Sequence, residues 1–149
     1  MSIHWILVGD AAGAKVYESD AKLEELVLVD TITVTNGHVR HDDGTNKSNE
    51  QLPGVGHDTE QAESDPHKES AERSARAVAR SMNDAELHHR FEHLVLVAPP
   101  RFLGDLRAAL STNVTRKVTT SINHDWTQLS VRDLSEQLRK KVPIGQDTP

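Results

Sequence analysis

Two apolar segments constrain the fold of this chain more than any other feature. Residues 3–8 and 93–98 are almost unbroken runs of aliphatic, β-branched and aromatic side chains. Such runs are typical of strands that are buried on both faces, because a half-exposed strand would alternate apolar with polar residues. We therefore expect these two strands to lie side by side at the centre of a sheet that is covered by helices on both faces.

The other segments predict the element order βββαβαβα. Residues 14–19 and 25–34 follow the first apolar run through short links, so the first three strands should form an antiparallel meander. Residues 114–122 are expected to form the fifth strand. Three helices are expected, each with a residue that favours a helix start: Pro66, Pro100 and Ser130. With right-handed crossovers, the expected class is α/β, a three-layer ribonuclease H-like mixed five-stranded sheet with strand order 3-2-1-4-5.

A long polar segment, residues 36–65, separates the third strand from the first helix. It contains turn signals such as Asn36-Gly37 and few apolar residues that could anchor it. Connections longer than about 12–15 residues are uncommon in compact domains unless they are functional or disordered. We therefore expect a single α/β domain over residues 1–142, with a flexible acidic loop at 36–65 and a C-terminal tail at 143–149.

Charge and composition exclude several classes of protein. The net charge is −6, and the acidic excess lies in residues 1–65, which hold 4 Lys or Arg against 13 Asp or Glu. An acidic chain is unfavourable for non-specific nucleic-acid binding, which depends on neutralising phosphates. The absence of Cys excludes disulfides and thiolate metal sites. No apolar run approaches the roughly 20 residues that cross a bilayer, and no secretory signal is recognisable. We expect a soluble, cytoplasmic protein without membrane insertion.

The expected topology places a cleft where the strand order reverses, between the first and fourth strands. The connections that follow these strands, together with the 36–65 loop, should meet at this edge. Two helix N-termini would also point there and favour an anion. The candidate ligand contacts are Asp10, His57, His67, Arg101 and Asp125. Structural roles are the alternative for each, such as satisfying backbone donors in a tight turn for Asp10 or capping a turn for Asp125.

The catalytic patterns in the chain are incomplete. A two-metal nuclease needs several carboxylates around its cations. Asp10 with Glu69 or Glu72 supplies part of such a cluster, but the fourth strand ends in Ala98-Pro99-Pro100 without an acid. No Gly-x-Ser-x-Gly elbow, phosphate loop or dinucleotide fingerprint occurs, and the nine histidines show no recognisable metal-ligand spacing. We expect no metal and no cofactor, and we leave enzymatic activity open, with a preference for none.

Three segments together resemble a bacterial protein family. They are Trp5-Ile6-Leu7-Val8-Gly9-Asp10, Asp65-Pro66-His67-Lys68-Glu69 and Val97-Ala98-Pro99-Pro100-Arg101-Phe102-Leu103-Gly104-Asp105. The third segment is the most specific, and the resemblance covers about residues 3–140. The family is the host attachment protein family, described as "protein required for attachment to host cells". It is related to bacterial proteins that resemble the central domain of archaeo-eukaryotic peptide-chain release factors.

This resemblance implies a ribonuclease H-like fold and a link to translation. In the release factors, the loop that corresponds to residues 36–65 carries a Gly-Gly-Gln tripeptide whose glutamine helps to hydrolyse peptidyl-tRNA. The segment here has Gln51 and Gln61 but no Gly-Gly pair, so no catalytic residue is carried over. One function is a non-enzymatic binding or regulatory module that affects attachment indirectly through an unidentified protein partner. The other is a translation-associated protein that binds the ribosome or tRNA, or hydrolyses peptidyl-tRNA through this loop.

Overall fold

The computed structural model describes residues 3–35, 38–42 and 66–142. Within these ranges the chain forms one six-stranded sheet with the strand order β4-β3-β2-β1-β5-β6. The strands are β1 (His4–Asp10), β2 (Gly13–Ser19), β3 (Val27–Thr35), β4 (His38–Asp42), β5 (His93–Val97) and β6 (Val118–Ile122). The helices are α1 (Pro66–Leu87), α2 (Pro100–Ala109), α3 (Thr112–Lys117) and α4 (Val131–Lys141).

The two most apolar strands lie at the centre of the sheet, as predicted. β1 pairs parallel with β5 and antiparallel with β2. Its side chains alternate between two hydrophobic clusters, because successive strand residues point to opposite faces. Trp5 and Leu7 pack against α1, α2 and α3, whereas Ile6 and Val8 pack against α4. Helices therefore cover both faces, and the expected three-layer mixed α/β arrangement is confirmed.

The predicted five-stranded sheet in the order 3-2-1-4-5 is wrong, because a sixth strand extends it at one edge. β4 occupies the beginning of the segment that was expected to be a loop, and it pairs antiparallel with β3, with Val34 opposite Val39. Val39 is the one apolar residue of β4, so the period-two hydrophobic signal of a strand is absent. Asn36-Gly37, the sequence between the two strands, is a favoured dipeptide of two-residue hairpins. The rest of the predicted acidic loop, 43–65, and the predicted tail, 143–149, lie outside the described residues.

The predicted strand over residues 114–122 is also corrected. Its first part is helical, because α3 precedes β6. The Ser111 hydroxyl accepts a hydrogen bond from the Val114 backbone N–H at 3.2 Å and caps this short helix. Val114 is then fully buried in the core. The β-branched residues within 114–122 favoured the prediction of a strand. The cap at Ser111 and the burial of Val114 instead favour a helical turn at the start of this range.

α4 begins as predicted and covers the centre of its face. The Ser130 hydroxyl accepts a hydrogen bond from the Asp133 backbone N–H at 3.1 Å. The buried residues Leu134 and Leu138 of α4 pack with residues of β1, β2, β5 and β6 in one hydrophobic cluster, whereas the buried residues of β3, Ile32 and Val34, belong to the cluster on the opposite face. We call the side of the sheet on which α4 packs the α4 face. Because α4 packs on these four strands, part of this face near β3 is not covered by it.

The tight β1–β2 turn is fixed against β3. Ala12 accepts a hydrogen bond from the Val34 backbone N–H at 3.0 Å. Gly13 has φ +144°, which side-chain-bearing residues rarely adopt, and an added Cβ would lie 2.0 Å from the Ile32 carbonyl oxygen. A glycine is therefore required where the turn meets β3.

None of the helices in the described ranges is long and apolar enough to cross a membrane.

Replacing Gly13 with Ala should lower the free energy of unfolding by about 2–3 kcal/mol, because the methyl group meets backbone and the φ value is strained. The matched control is Gly104→Ala in α2, where an added Cβ meets nothing within 4 Å. This control should raise stability by up to about 1 kcal/mol. Urea unfolding of both variants measures the difference. Equal stability of the two variants would contradict the steric role of Gly13.

Candidate functional site

A cavity of about 270 Å³ opens on the α4 face beside the β1–β2 turn. We call it the cleft. It is lined by residues from the ends of three strands, from the segment after β6 and from α4: Val8, Asp10, Ala12, Gly13, Ala14, Lys15, Tyr17, Thr31, Ile32, Thr33, Trp126, Thr127, Leu129 and Leu134. It lies at the carboxyl end of β1, where open α/β sheets bind ligands.

Strand register places polar side chains on the floor of the cleft. Val8 is opposite Lys15, and Lys15 is opposite Thr31. Residues that are directly opposite on neighbouring strands share a face of the sheet. Lys15 and Thr31 therefore lie in one row with the apolar Val8 and place their polar groups on the α4 face.

The next row along the strands runs from Asp10 through Gly13 to Thr33. Because Gly13 has no side chain, this row leaves a gap between the carboxylate and the hydroxyl. The gap contributes to the depth of the cleft.

The segment between β6 and α4 forms the opposite wall. The Asp125 carboxylate accepts hydrogen bonds from the Thr127 backbone N–H at 3.1 Å and from its hydroxyl at 2.6 Å. The Leu129 N–H donates to the Trp126 carbonyl at 3.1 Å. The Trp126 ring is stacked on His124, with centroids 5.7 Å apart and planes at 8°. These contacts hold an aromatic ring in the wall of the cleft.

The polar groups of the cleft differ in their availability. The Thr31 and Thr33 hydroxyls and the Lys15 ammonium have no hydrogen-bond partner among the residues that the structure describes. In contrast, Asp10 uses one carboxylate oxygen to accept the Ala12 backbone N–H at 2.9 Å. The cleft therefore offers free donors at the strands, an apolar and aromatic opposite wall, and an acid that is already engaged in its own turn.

A family model described as "Protein required for attachment to host cells" matches residues 5–138. The match spans most of the chain. The chain belongs to the host-attachment family. All the residues that line the cleft fall within the matched range, so the cleft is part of the host-attachment domain. No curated protein sequence matches the chain.

The structure brings some of the predicted site residues of this host-attachment protein together and separates others. Asp10 lines the cleft, and Asp125 holds the wall through Thr127. Arg101 is exposed in the first turn of α2 and does not line the cleft. His67 lies in the first turn of α1, but its side chain is outside the described part, and His57 lies wholly outside it. As ligand contacts, all five stay predictions.

The cleft lies over β1, β2 and β3, and was expected between β1 and β5. The reason is the direction of α2, which begins at Pro100 directly after β5. Its buried residues Phe102 and Leu106 pack in the cluster on the face opposite α4. The connection after β5 therefore leads to the face opposite α4 and does not border the cleft.

Sequence reasoning missed four residues of the cleft: Lys15, Thr31, Thr33 and Trp126. Three of them lie within predicted strands, so the signal that could have found them was the strand register, which places them beside Asp10. Trp126 carried a second signal, because it is one of two tryptophans in a chain with 3% aromatic residues.

A second side-chain cluster on the opposite face links β3, β4 and α1. His41 Nδ1 lies 2.8 Å from Asp30 Oδ2, and His41 Nε2 lies 3.4 Å from the Ser81 hydroxyl oxygen. The order Ser–His–Asp is that of a serine hydrolase, and it arises here without the Gly-x-Ser-x-Gly elbow.

The geometry of this cluster opposes nucleophilic catalysis. The hydrogen bond to Asp30 raises the pKa of His41, partial burial lowers it, and the charges of Asp30 and Asp84 raise it further, for a net upward shift. The Ser81 hydroxyl donates to the Ala77 carbonyl at 3.3 Å, so its proton is not directed at His41 Nε2, which lies at 3.4 Å. We interpret the cluster as a structural polar contact that joins β4 to α1. Among the described residues, no group of three or more His, Asp or Glu could hold a metal ion.

Replacing His41 with Gln should destabilise the protein more at pH 5.5 than at pH 8.5. The folded-state pKa is raised above the unfolded value of about 6.5. The stabilisation is therefore complete below the unfolded pKa and is lost as the pH rises through the folded pKa. Because the side chain of His41 is 49% exposed, we expect about 0.5–1 kcal/mol at the lower pH.

Urea unfolding at both pH values tests this expectation, with Asp30→Asn as the background control. In that background the pH-dependent part of the His41→Gln effect should disappear. A His41→Gln effect that is equal at both pH values would show that the ion pair contributes nothing.

Proposed function

We propose that this host-attachment protein is a non-enzymatic binding module whose cleft takes a small ligand, and that ligand binding regulates cell attachment indirectly, from the cytoplasm. The observation that carries the proposal is the combination of free donors on Lys15, Thr31 and Thr33 with the stacked ring of Trp126 around one cavity. Polar groups that have no hydrogen-bond partner among the described residues are available to a ligand, and a few such groups around an apolar cavity are typical of a binding site.

The state of Asp10 supports a binding role over a catalytic one. A general base or a nucleophile needs a group that is free to reach the substrate. One Asp10 oxygen is occupied by the Ala12 N–H, and the remaining polar groups of the floor are Thr and Lys. These groups orient a bound molecule through hydrogen bonds and charge.

The size of the cleft supports an indirect role in attachment. A cavity of about 270 Å³ accommodates a small molecule. A direct adhesive contact with a host surface would use a broad protein surface, roughly 800 Å² on each partner in a standard interface. A regulatory partner would then bind the ligand-bound and ligand-free forms of the protein differently. This difference would link the cleft to the attachment phenotype.

The proposal predicts that filling the cleft abolishes function. A strain that lacks the gene is complemented with the wild type or with one of two variants. Thr33→Tyr places an aromatic ring in the cleft, and Thr119→Tyr is the matched control at an exposed residue of β6. Thr33→Tyr should leave attachment at the level of the deletion strain, because the ring occupies the ligand space. Thr119→Tyr should restore attachment. Immunoblots establish equal protein levels, and attachment counts are the measurement.

Two further measurements distinguish the proposed role from direct adhesion and from ribosome binding. Protease treatment of intact cells should leave the protein uncleaved if it acts from the cytoplasm, and ribosome pelleting at physiological salt should leave it in the supernatant. Full attachment with Thr33→Tyr would contradict the role of the cleft. Cleavage on intact cells would indicate direct adhesion, and co-sedimentation would support the translation-associated function through the 36–65 segment.

A further inference from the structure

We propose that the cleft binds an aromatic ligand of one or two rings that carries a carboxylate or another anionic group. The inference rests on the proposed binding function and names the chemistry of its ligand. Size, the aromatic wall and the charge of the floor each support one part of it.

The volume of the cleft sets the size of the ligand. Cavities of about 150 Å³ bind benzene, and the cleft is nearly twice as large, at about 270 Å³. It therefore accommodates one or two fused rings together with a small polar substituent, and it is too small for an oligosaccharide or a folded peptide segment.

The wall formed by Trp126, Leu129 and Leu134 favours a planar apolar group. Aromatic rings pack in offset or edge-to-face arrangements that contribute about 0.5–1.5 kcal/mol beyond the burial of their area. The stack of Trp126 on His124 restricts the indole before any ligand binds. A restricted ring loses little conformational entropy on binding, which favours a rigid aromatic partner over a flexible chain.

The floor favours an anion at the other end of the ligand. Lys15 lies beside Thr31 in one row, which continues to Asp42 of β4, and Thr33 lies directly opposite Arg40 of β4 in the next row. Lys15 and Arg40 are both exposed, and neither has an ion-pair partner among the described residues.

Among the residues that line the cleft, Lys15 is the one cation and Asp10 is the one acid. One Asp10 oxygen accepts the Ala12 N–H, whereas the Lys15 ammonium and the Thr31 and Thr33 hydroxyls have no hydrogen-bond partner among the described residues, so the position between Lys15 and the two threonines favours an anion. A carboxylate at this position would accept charge-assisted hydrogen bonds from Lys15 and bonds from both threonines, which a neutral group of the same shape would match only in part.

Isothermal titration calorimetry with three probes tests the proposal. The probes are 2-naphthoate, its neutral analogue 2-naphthamide, and decahydro-2-naphthoate, which keeps the charge and the two-ring skeleton without the aromaticity. Wild-type protein should bind 2-naphthoate about tenfold more tightly than 2-naphthamide, the difference expected for one charge-assisted hydrogen bond. Decahydro-2-naphthoate should bind more weakly than 2-naphthoate, because its saturated rings cannot stack on Trp126.

Two variants and one control assign the binding to the cleft. Lys15→Gln should remove the preference for the acid and leave 2-naphthamide binding unchanged. Trp126→Leu should weaken both naphthyl probes, with thermal unfolding used to verify that the variant is folded. Lys22→Gln, at an exposed lysine in the β2–β3 link, should behave as the wild type.

Equal affinity for 2-naphthoate and 2-naphthamide, or equal effects of Lys15→Gln and Lys22→Gln, would overturn the anionic part. Failure of both naphthyl probes to bind would overturn the aromatic part. These outcomes are independent of the attachment assay. Loss of attachment with Thr33→Tyr and no probe binding would overturn only the ligand chemistry. Full attachment with Thr33→Tyr and specific 2-naphthoate binding would overturn only the proposed function.

Discussion

The two-sided burial of the central strands is the constraint on which the rest of the structure depends. β1 and β5 present apolar side chains to both faces, so each face must be covered by helix. On one face α1, α2 and α3 supply this cover, whereas α4 supplies it on the other. An 11-residue helix protects the centre of the sheet and leaves the region beside β3 accessible. The cleft is a direct consequence of unequal helix cover over a broad sheet.

Backbone contacts make this opening a defined site. The β1–β2 turn is joined to β3 through Ala12 and Val34, and Gly13 permits the close approach of the two strands. On the other side, Asp125 and Thr127 hold the wall that carries Trp126. Because both walls are positioned by hydrogen bonds within the protein, the cleft exists before any ligand binds, and preorganisation of this kind favours affinity. Membership of the host-attachment family gives this preformed cleft a biological context.

The central fold could be predicted from the sequence because the apolar runs and short links leave few alternatives. The parallel pairing of β1 with β5 and the cap at Ser130 both follow from local patterns. β4 could not be predicted, because a polar edge strand needs little apolar area and its single Val39 carries no periodic signal. The cleft was missed for another reason. Its residues are ordinary Lys, Thr and Trp, and only the register of three strands shows that Lys15, Thr31 and Thr33 share a face with Asp10.

The central claim is that the cleft beside Trp126 is open to small molecules while the core is closed. Acrylamide quenching of the two tryptophans measures this directly, since Trp5 is only 3% exposed and Trp126 lines the cleft. The account predicts one quenched and one protected population of fluorescence, and the quenched population should disappear in Trp126→Phe. Protection of both tryptophans in the wild type would show that the cleft is closed and would contradict the account.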